Sequence, residues 1–210
     1  MGFRRQSILA DKSQQLHRAT VGGMMVESER EAILLKGVDM KQHTGIKRGN
    51  IVVVPKSDAV VSSIDAGKTL CELSGWVVSN LQLQKILYLA HMLHLGRIGK
   101  PLTNDGFQAW EYGPVAPSLH HRVKGFGSKP IQKIIFWEKG TEGGSTQFGL
   151  LHETMTAMKG LTGAQLVSLT HWEKGAWYQT YRGGKRGIPI PDNLIIKEYN
   201  ARQNELDAQR

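Results

Sequence analysis

The strongest constraint in this chain is a helix written with its own start and stop. Ser79-Asn80-Leu81-Gln82 is a capping box, serine with glutamine three residues later, the pairing that satisfies two orphan backbone N–H groups at a helix start. The segment it opens, LQLQKILYLAHMLHLGRIG, carries Leu83, Ile86, Leu87, Ala90 and Leu93 at steps of three and four. That spacing is the stripe of a helix facing a core. Gly99 and Pro101 stop it.

Other helices are signalled in the same way. Ser62 is an N-cap with Asp65 three residues on, and Ala66, Leu70 and Leu73 share a face before Gly75 ends the run. Thr162-Gly163-Ala164-Gln165 is a second well-formed capping box, starting a helix through Leu166, Leu169 and Thr170. Pro117 suits the first turn of a helix PSLHHRVKGF that ends at Gly127. A further helix is expected near His152 to Met158, and Asp192 caps a last one, NLIIKEYNARQ. Thr103-Asn104-Asp105-Gly106 is expected to cap a short helix carrying Phe107, Trp110 and Tyr112, broken by Gly113-Pro114. Ile131 to Trp137 is a β-compatible run, followed by a glycine-rich loop over 140–144. Residues 183–187 read as a mobile basic loop.

The first 56 residues differ from the rest, with sparse apolar residues and no clean periodicity. Ser28 to Gly37 reads as a short capped helix, and Gly45 to Pro55 as a turn into a short strand. Met24, Met25 and Met40 are in-frame methionines, any of which could be the true start. The organisation expected is a basic N-terminal extension over 1–56, a helical domain over 57–203 and a polar tail over 204–210. The expected fold class is mostly α: a compact multi-helix domain with at most a short β-hairpin or strand, plus an N-terminal extension of uncertain structure.

Composition excludes several classes. Over 210 residues, 40% hydrophobic and 21% charged residues describe an ordinary globular protein rather than a disordered one. The longest aliphatic run, Ile51 to Val54, is far too short for a membrane span, and no stretch resembles a signal peptide. One cysteine, Cys71, excludes an internal disulfide framework and a Cys-based zinc site. A cytoplasmic location is the expectation. The net charge is +9, of which +5 falls in residues 1–56, where ten Lys/Arg stand against five Asp/Glu. Such an excess attracts anionic partners without naming one.

Candidate chemistry is thin. Asp65-Ala66-Gly67-Lys68-Thr69 copies the back half of a phosphate-binding loop, but Ser62 stands where that loop needs its first glycine. His91 and His94 are three apart on a helix, yet a metal site needs a third ligand, and His120 and His121 point to different sides of theirs. Asp105, Glu111 and Glu173 are not paired by any spacing, and Cys71 lacks a nucleophile signature. No catalytic residue, no metal ligand and no cofactor-binding residue is therefore assigned, and an enzyme is not expected. Aromatic residues stand out instead: Phe107, Trp110 and Tyr112 before the Gly-Pro break, and Trp172, Trp177, Tyr178 and Tyr181 later. They fit either a core with its corners or a protein-binding surface.

On these residues the chain resembles the Panacea domain, the SocA-like antitoxin family that also includes phage-associated GepA-type proteins. Three blocks carry the resemblance, 81–102, 107–131 and 166–181, the core motifs thus spanning 81–181. Within them the family pattern falls on Leu83-Gln84-Lys85 and Tyr88, on Pro101-Leu102, and on Ala109-Trp110 with Gly113-Pro114-Val115. In the late block it falls on Leu169-Thr170-His171 and Trp177, with Ala176 in place of the family's usual proline.

The resemblance implies a mostly helical domain that neutralises a cognate toxin, encoded next to it, by direct protein binding. It also implies a possible second partner, an ATP-dependent protease to which the toxin is delivered. The motif residues would be mainly structural, with partner contact as their other role, and the Gly-Pro would set a turn between two helices. The alternative function is a DNA-binding transcriptional (auto)regulator that holds promoter DNA with the basic N-terminal segment. A third, a nucleotide-dependent enzyme, would use Lys68. No membrane partner is expected.

Overall fold

A computed structural model describes residues 59–185 and 187–208. The expected helix at 28–37 and the strand near 51–55 lie outside the described residues, as do the three methionines proposed as later starts.

Helix α1 spans Ser63–Leu73 and opens where Ser62 accepts a hydrogen bond from the Asp65 N–H at 3.0 Å. The Ser63 N–H is taken by Asp105 Oδ1 at 3.0 Å, so the loop after the second helix caps the first. Asp65 to Thr69 is thus helical interior. Its backbone N–H groups are spent on the helix and cannot cradle a phosphate, which removes the nucleotide reading for Lys68. Lys68 instead pairs with Glu72 one turn on.

Helix α2 spans Asn80–Ile98, and both halves of its capping box form: Gln82 N–H to Ser79 Oγ, and Ser79 N–H to Gln82 Oε1. Gly99 ends it in the left-handed conformation at φ 74°. The expected one-sided stripe is too narrow a description. Every residue from Leu83 to Leu95 is buried, polar ones included, so α2 is the axis of the molecule rather than a face of it. Fully burying each leucine or isoleucine there stabilises the fold by roughly 1.5–3 kcal/mol.

The segment after α2 corrects an expectation. Phe107–Trp110 is strand β1, and Gly113–Val115 is strand β2, paired antiparallel with Gln108 opposite Val115 and Trp110 opposite Gly113. The three-residue spacing of Phe107 and Trp110 imitated a helix, and Gly113-Pro114 lies within a strand instead of joining two helices. Strand β3, Ile188–Ile190, pairs on the other side of β1 and was not anticipated. The order β2-β1-β3 leaves Pro114 and Pro189 on edge strands, where a missing N–H costs no ladder bond.

Helix α3, Pro117–Val123, runs into a 3-10 turn, Lys124–Phe126. The β-compatible run 131–137 forms no strand. It holds a 3-10 turn at Lys133–Ile135, and Ile131 N–H donates to Val78 O at 3.0 Å. Helix α4, Thr146–Met158, starts six residues earlier than expected because Ser145 accepts from the Phe148 N–H at 3.1 Å. Helix α5, Gly163–Thr170, opens on the complete Thr162–Gln165 capping box. Helix α6 is Ala176–Thr180, and α7, Asp192–Ala208, extends through most of the stretch expected as a polar tail.

Helices α1, α3, α4, α5 and α7 pack around α2. The mostly helical architecture is the one expected, with the hairpin enlarged to a three-stranded sheet. Among the described residues no helix is long and apolar enough to cross a membrane.

Candidate functional site

Lys85 is the point at which the three motif blocks meet. It sits on the buried side of α2, fully shielded from solvent, and its Nζ donates to Pro114 O at 2.9 Å. One residue earlier, Gln84 Oε1 accepts from the Ala116 N–H at 2.8 Å. Two adjacent polar side chains on a helix thereby grip the end of β2, whose edge position leaves these backbone groups unpaired by the sheet. Gly113 completes the fit. Its φ is 101°, and a Cβ there would lie 2.8 Å from Lys85 Nζ and 3.0 Å from Thr170 Oγ1. Only glycine suits both the angle and the space.

The late block closes the same corner. Thr170 Oγ1 donates back to its own helix at Leu166 O, and His171 stacks on Trp177 with centroids 3.6 Å apart and planes 7° apart. Tyr181 covers the region at 4.9 Å from Trp177. Trp177 Nε1 donates to Trp110 O at 2.8 Å, tying α6 to the β1–β2 turn. Of the remaining motif residues, Leu83, Leu102 and Ala109 are core, Val115 is buried, and Pro101 is half-buried beyond the end of α2. Trp110 is half-buried, with its ring edge-on to His120 at 4.8 Å.

Tyr88 reaches a second centre that no motif announced. Its hydroxyl donates to Glu198 Oε2 at 2.6 Å, and the same oxygen accepts from the Ala176 N–H at 2.8 Å. Glu198 Oε1 pairs with Arg202 at 2.8 Å, and Arg202 also donates to Leu169 O. Neither Glu198 nor Arg202 was singled out in the sequence, where charge in a helix ordinarily means solvent. They stand three and seven residues beyond Ile195, on its buried face, and that periodicity was the available signal.

Burial sets the electrostatics of both centres. It pulls the Lys85 ammonium down to about 7. Burial, then the Lys85 charge, holds the His171 imidazolium down to about 4. Tyr88 is raised well above its ordinary value by burial and by the Glu198 carboxylate. Cys71 is buried, and its thiol is pushed up to about 12 by burial and by Glu72, the reverse of an activated nucleophile.

A shallow cleft of about 220 Å³ opens beside this corner, between the start of α2, the β1–β2 turn and α3. Trp110, Tyr112 and His120 line it, and Tyr112 stands 64% exposed at the hairpin tip. The candidates for metal chemistry are dispersed. His91 lies 3.5 Å from Asp192, while His94 Nδ1 approaches Lys100 O at 2.6 Å. His120 meets Asn80, and His121 meets Pro117 O. Among the described residues no three His, Cys, Asp or Glu side chains converge as ligands. Asp105 serves as a cap, and Glu111 and Glu173 are both exposed.

Comparison with known proteins follows these blocks. Residues 83–178 match the model of the family described as Antitoxin SocA-like, Panacea domain. The protein named Antitoxin SocA of Caulobacter vibrioides (strain NA1000 / CB15N) is 33% identical over 109 residues, 48% of this chain. The chain spans 58% of that relative's length. No solved structure matches. The hairpin, the Gln84–Lys85 grip on it and the stacked His171–Trp177 pair all lie inside the region, residues 83–178, that is similar to the Antitoxin SocA-like Panacea domain.

Proposed function

We propose that the protein is an antitoxin that neutralises a cognate toxin by binding it directly, and that it performs no catalysis. The match of residues 83–178 to the Antitoxin SocA-like family is the observation that carries this reading. The chemistry of the motif supports it. Gln84 and Lys85 spend their polar groups on the backbone of Ala116 and Pro114, and Trp177 spends its on Trp110. These groups build a rigid scaffold, which is what a binding protein needs in order to present a surface. The motif residues are accordingly positioning residues, and partner contact falls to the exposed side chains around them.

The test is co-expression. A small gene product encoded nearby should arrest growth alone, lose that effect beside this protein, and co-purify with it. Harmless expression of every neighbouring gene, or neutralisation without physical association, would overturn the reading. An adaptor role adds a finer expectation: the toxin's half-life should lengthen in cells lacking the ATP-dependent protease.

A second reading, promoter DNA binding, is favoured by the ten basic residues in 1–56. It requires a steep loss of DNA affinity with salt and the disappearance of binding when residues 1–56 are deleted.

A further inference from the structure

Beyond residue 56 the charge excess is local. Residues 57–210 carry a net +4, and the stretch 122–139 by itself carries +4, from Arg122, Lys124, Lys129, Lys133 and Lys139 against Glu138. The remainder of that region sums to zero, with Arg182, Lys185 and Arg186 forming a second, smaller basic cluster. Arg122 is committed to Glu138 at 3.0 Å, whereas all four lysine side chains are exposed and lack an acidic partner among the described residues. Four unpaired like charges on one short stretch repel one another, and an opposite charge brought among them is favoured.

The same stretch holds the two most exposed large apolar residues described, Ile134 at 86% and Trp137 at 77%. Trp137 is held rather than loose: the Arg122 guanidinium lies 3.7 Å over its ring, and Arg122 also donates to Ile135 O at 3.1 Å. Val77, 67% exposed, belongs to the neighbouring strip, where Val78 O accepts from the Ile131 N–H and Trp76 packs at 6.0 Å from Phe136. Trp76 has φ 63°, the single described non-glycine residue in the left-handed region, so a strained turn is kept beside these residues. After Val123, the last residue of α3, the stretch has no regular secondary structure beyond two 3-10 turns, so its shape is set by these contacts.

An anchored tryptophan flanked by aliphatic side chains and rimmed by unpaired lysines has the anatomy of a protein interface: apolar anchors inside, charge at the edge. We propose that the face from Arg122 to Lys139, with Val77, is the docking surface for the protein partner, and that the partner contributes an acidic segment carrying apolar side chains. The proposal rests on the binding function inferred above and names the chemistry of what is bound. Nucleic acid also meets lysines and aromatic rings. The exposed Ile134 and Val77 decide against it, because aliphatic side chains gain little from phosphates or from the faces of stacked bases.

Two arms test it on the full chain. In the first, fluorescence anisotropy follows a labelled peptide of alternating glutamate and leucine, its lysine-for-glutamate counterpart, and an oligothymidylate of matching length. The glutamate peptide should bind most tightly and weaken with salt. Reversal of Lys124, Lys129 and Lys133 to glutamate should weaken it by about tenfold or more, and Trp137→Ala should weaken it too. Reversing Lys100, Lys185 and Lys197 changes net charge equally and should leave it within about twofold. Equal loss in both charge sets, tighter binding of the lysine peptide, or preference for oligothymidylate would overturn the proposal. A thermal melt checks that each variant is folded, and the surface lysine set carries the test if Trp137→Ala is not.

The second arm puts the same variants into the co-expression assay. Neutralisation that survives the Lys124, Lys129 and Lys133 reversal leaves the antitoxin reading standing and removes this face from it. Peptide binding at this face by a protein that neutralises no neighbouring gene product does the opposite.

Discussion

The hydroxyl of Tyr88 donates a 2.6 Å hydrogen bond to Oε2 of Glu198, joining residues 110 positions apart. Because Glu198 also holds Arg202 and the Ala176 N–H, one carboxylate fastens α2, α6 and α7. Tyr88→Phe removes a single donor and should cost about 1–2 kcal/mol. Glu198→Ala leaves the Arg202 charge buried without its partner and should cost about 3–5 kcal/mol. Urea unfolding of both variants measures the difference. Equal costs would show that the ion pair is not the dominant part of this centre.

Stability should rise with pH above neutrality. Lys85 titrates near 7 in the folded protein, against 10.5 when free. Below pH 7 both states hold the proton, and the fold bears the full cost of a buried cation. Above it the unfolded chain binds more protons, so stability climbs with a limiting slope of about 1.4 kcal/mol per pH unit. Cys71, pushed up to about 12 from 9.0, contributes the opposite slope above pH 9, because the unfolded chain ionises first, and so offsets the climb there. Denaturant midpoints between pH 7 and 9 should therefore increase, and Lys85→Met should flatten the increase. Parallel curves for the two proteins would contradict this.

On the acid side His171 acts in a separate window. Its folded value near 4, against 6.5, means that the unfolded chain takes the proton first as pH falls. Its contribution is complete above pH 6.5 and is lost progressively down to pH 4. His171→Phe keeps a ring stacked on Trp177 and removes the titration, so the loss of stability between those limits should become shallower. The comparison is a pair of urea melts at each end of the window.

Gly96 lies within α2, where alanine ordinarily gains about 1 kcal/mol. Here a Cβ would fall 2.2 Å from ring atoms of Tyr199 on α7. Gly96→Ala should instead destabilise by about 1–3 kcal/mol. Adding Tyr199→Ala should recover part of that loss, and a double variant no better than the sum of the singles would refute the contact as the cause.

Local chemistry was the legible part of this protein. Ser62, Ser79 and Thr162 cap helices because a short polar side chain and its partner three residues on act within one turn, without help from elsewhere. The sheet was not legible for the opposite reason. Phe107 and Trp110 alternate into a strand only because Gln84 and Lys85, from another element, hold the far end of the hairpin. Conversely, Ile131 to Trp137 has strand-forming residues but no neighbouring edge to pair with, and it folds into a turn. Around Lys85 the motif residues could be named in sequence, while their convergence on Pro114 could not. Glu198 and Arg202 stayed hidden because charge in a polar helix ordinarily means solvent.

The placement of Glu198 also bears on how the protein is made. Helix α7 is synthesised after every other described element, yet its carboxylate is what Tyr88 and the Ala176 N–H wait for. Until α7 leaves the ribosome, the nascent chain holds α2 with one flank uncovered and two polar groups unmet. A folding helper that shields apolar segments would find its target there.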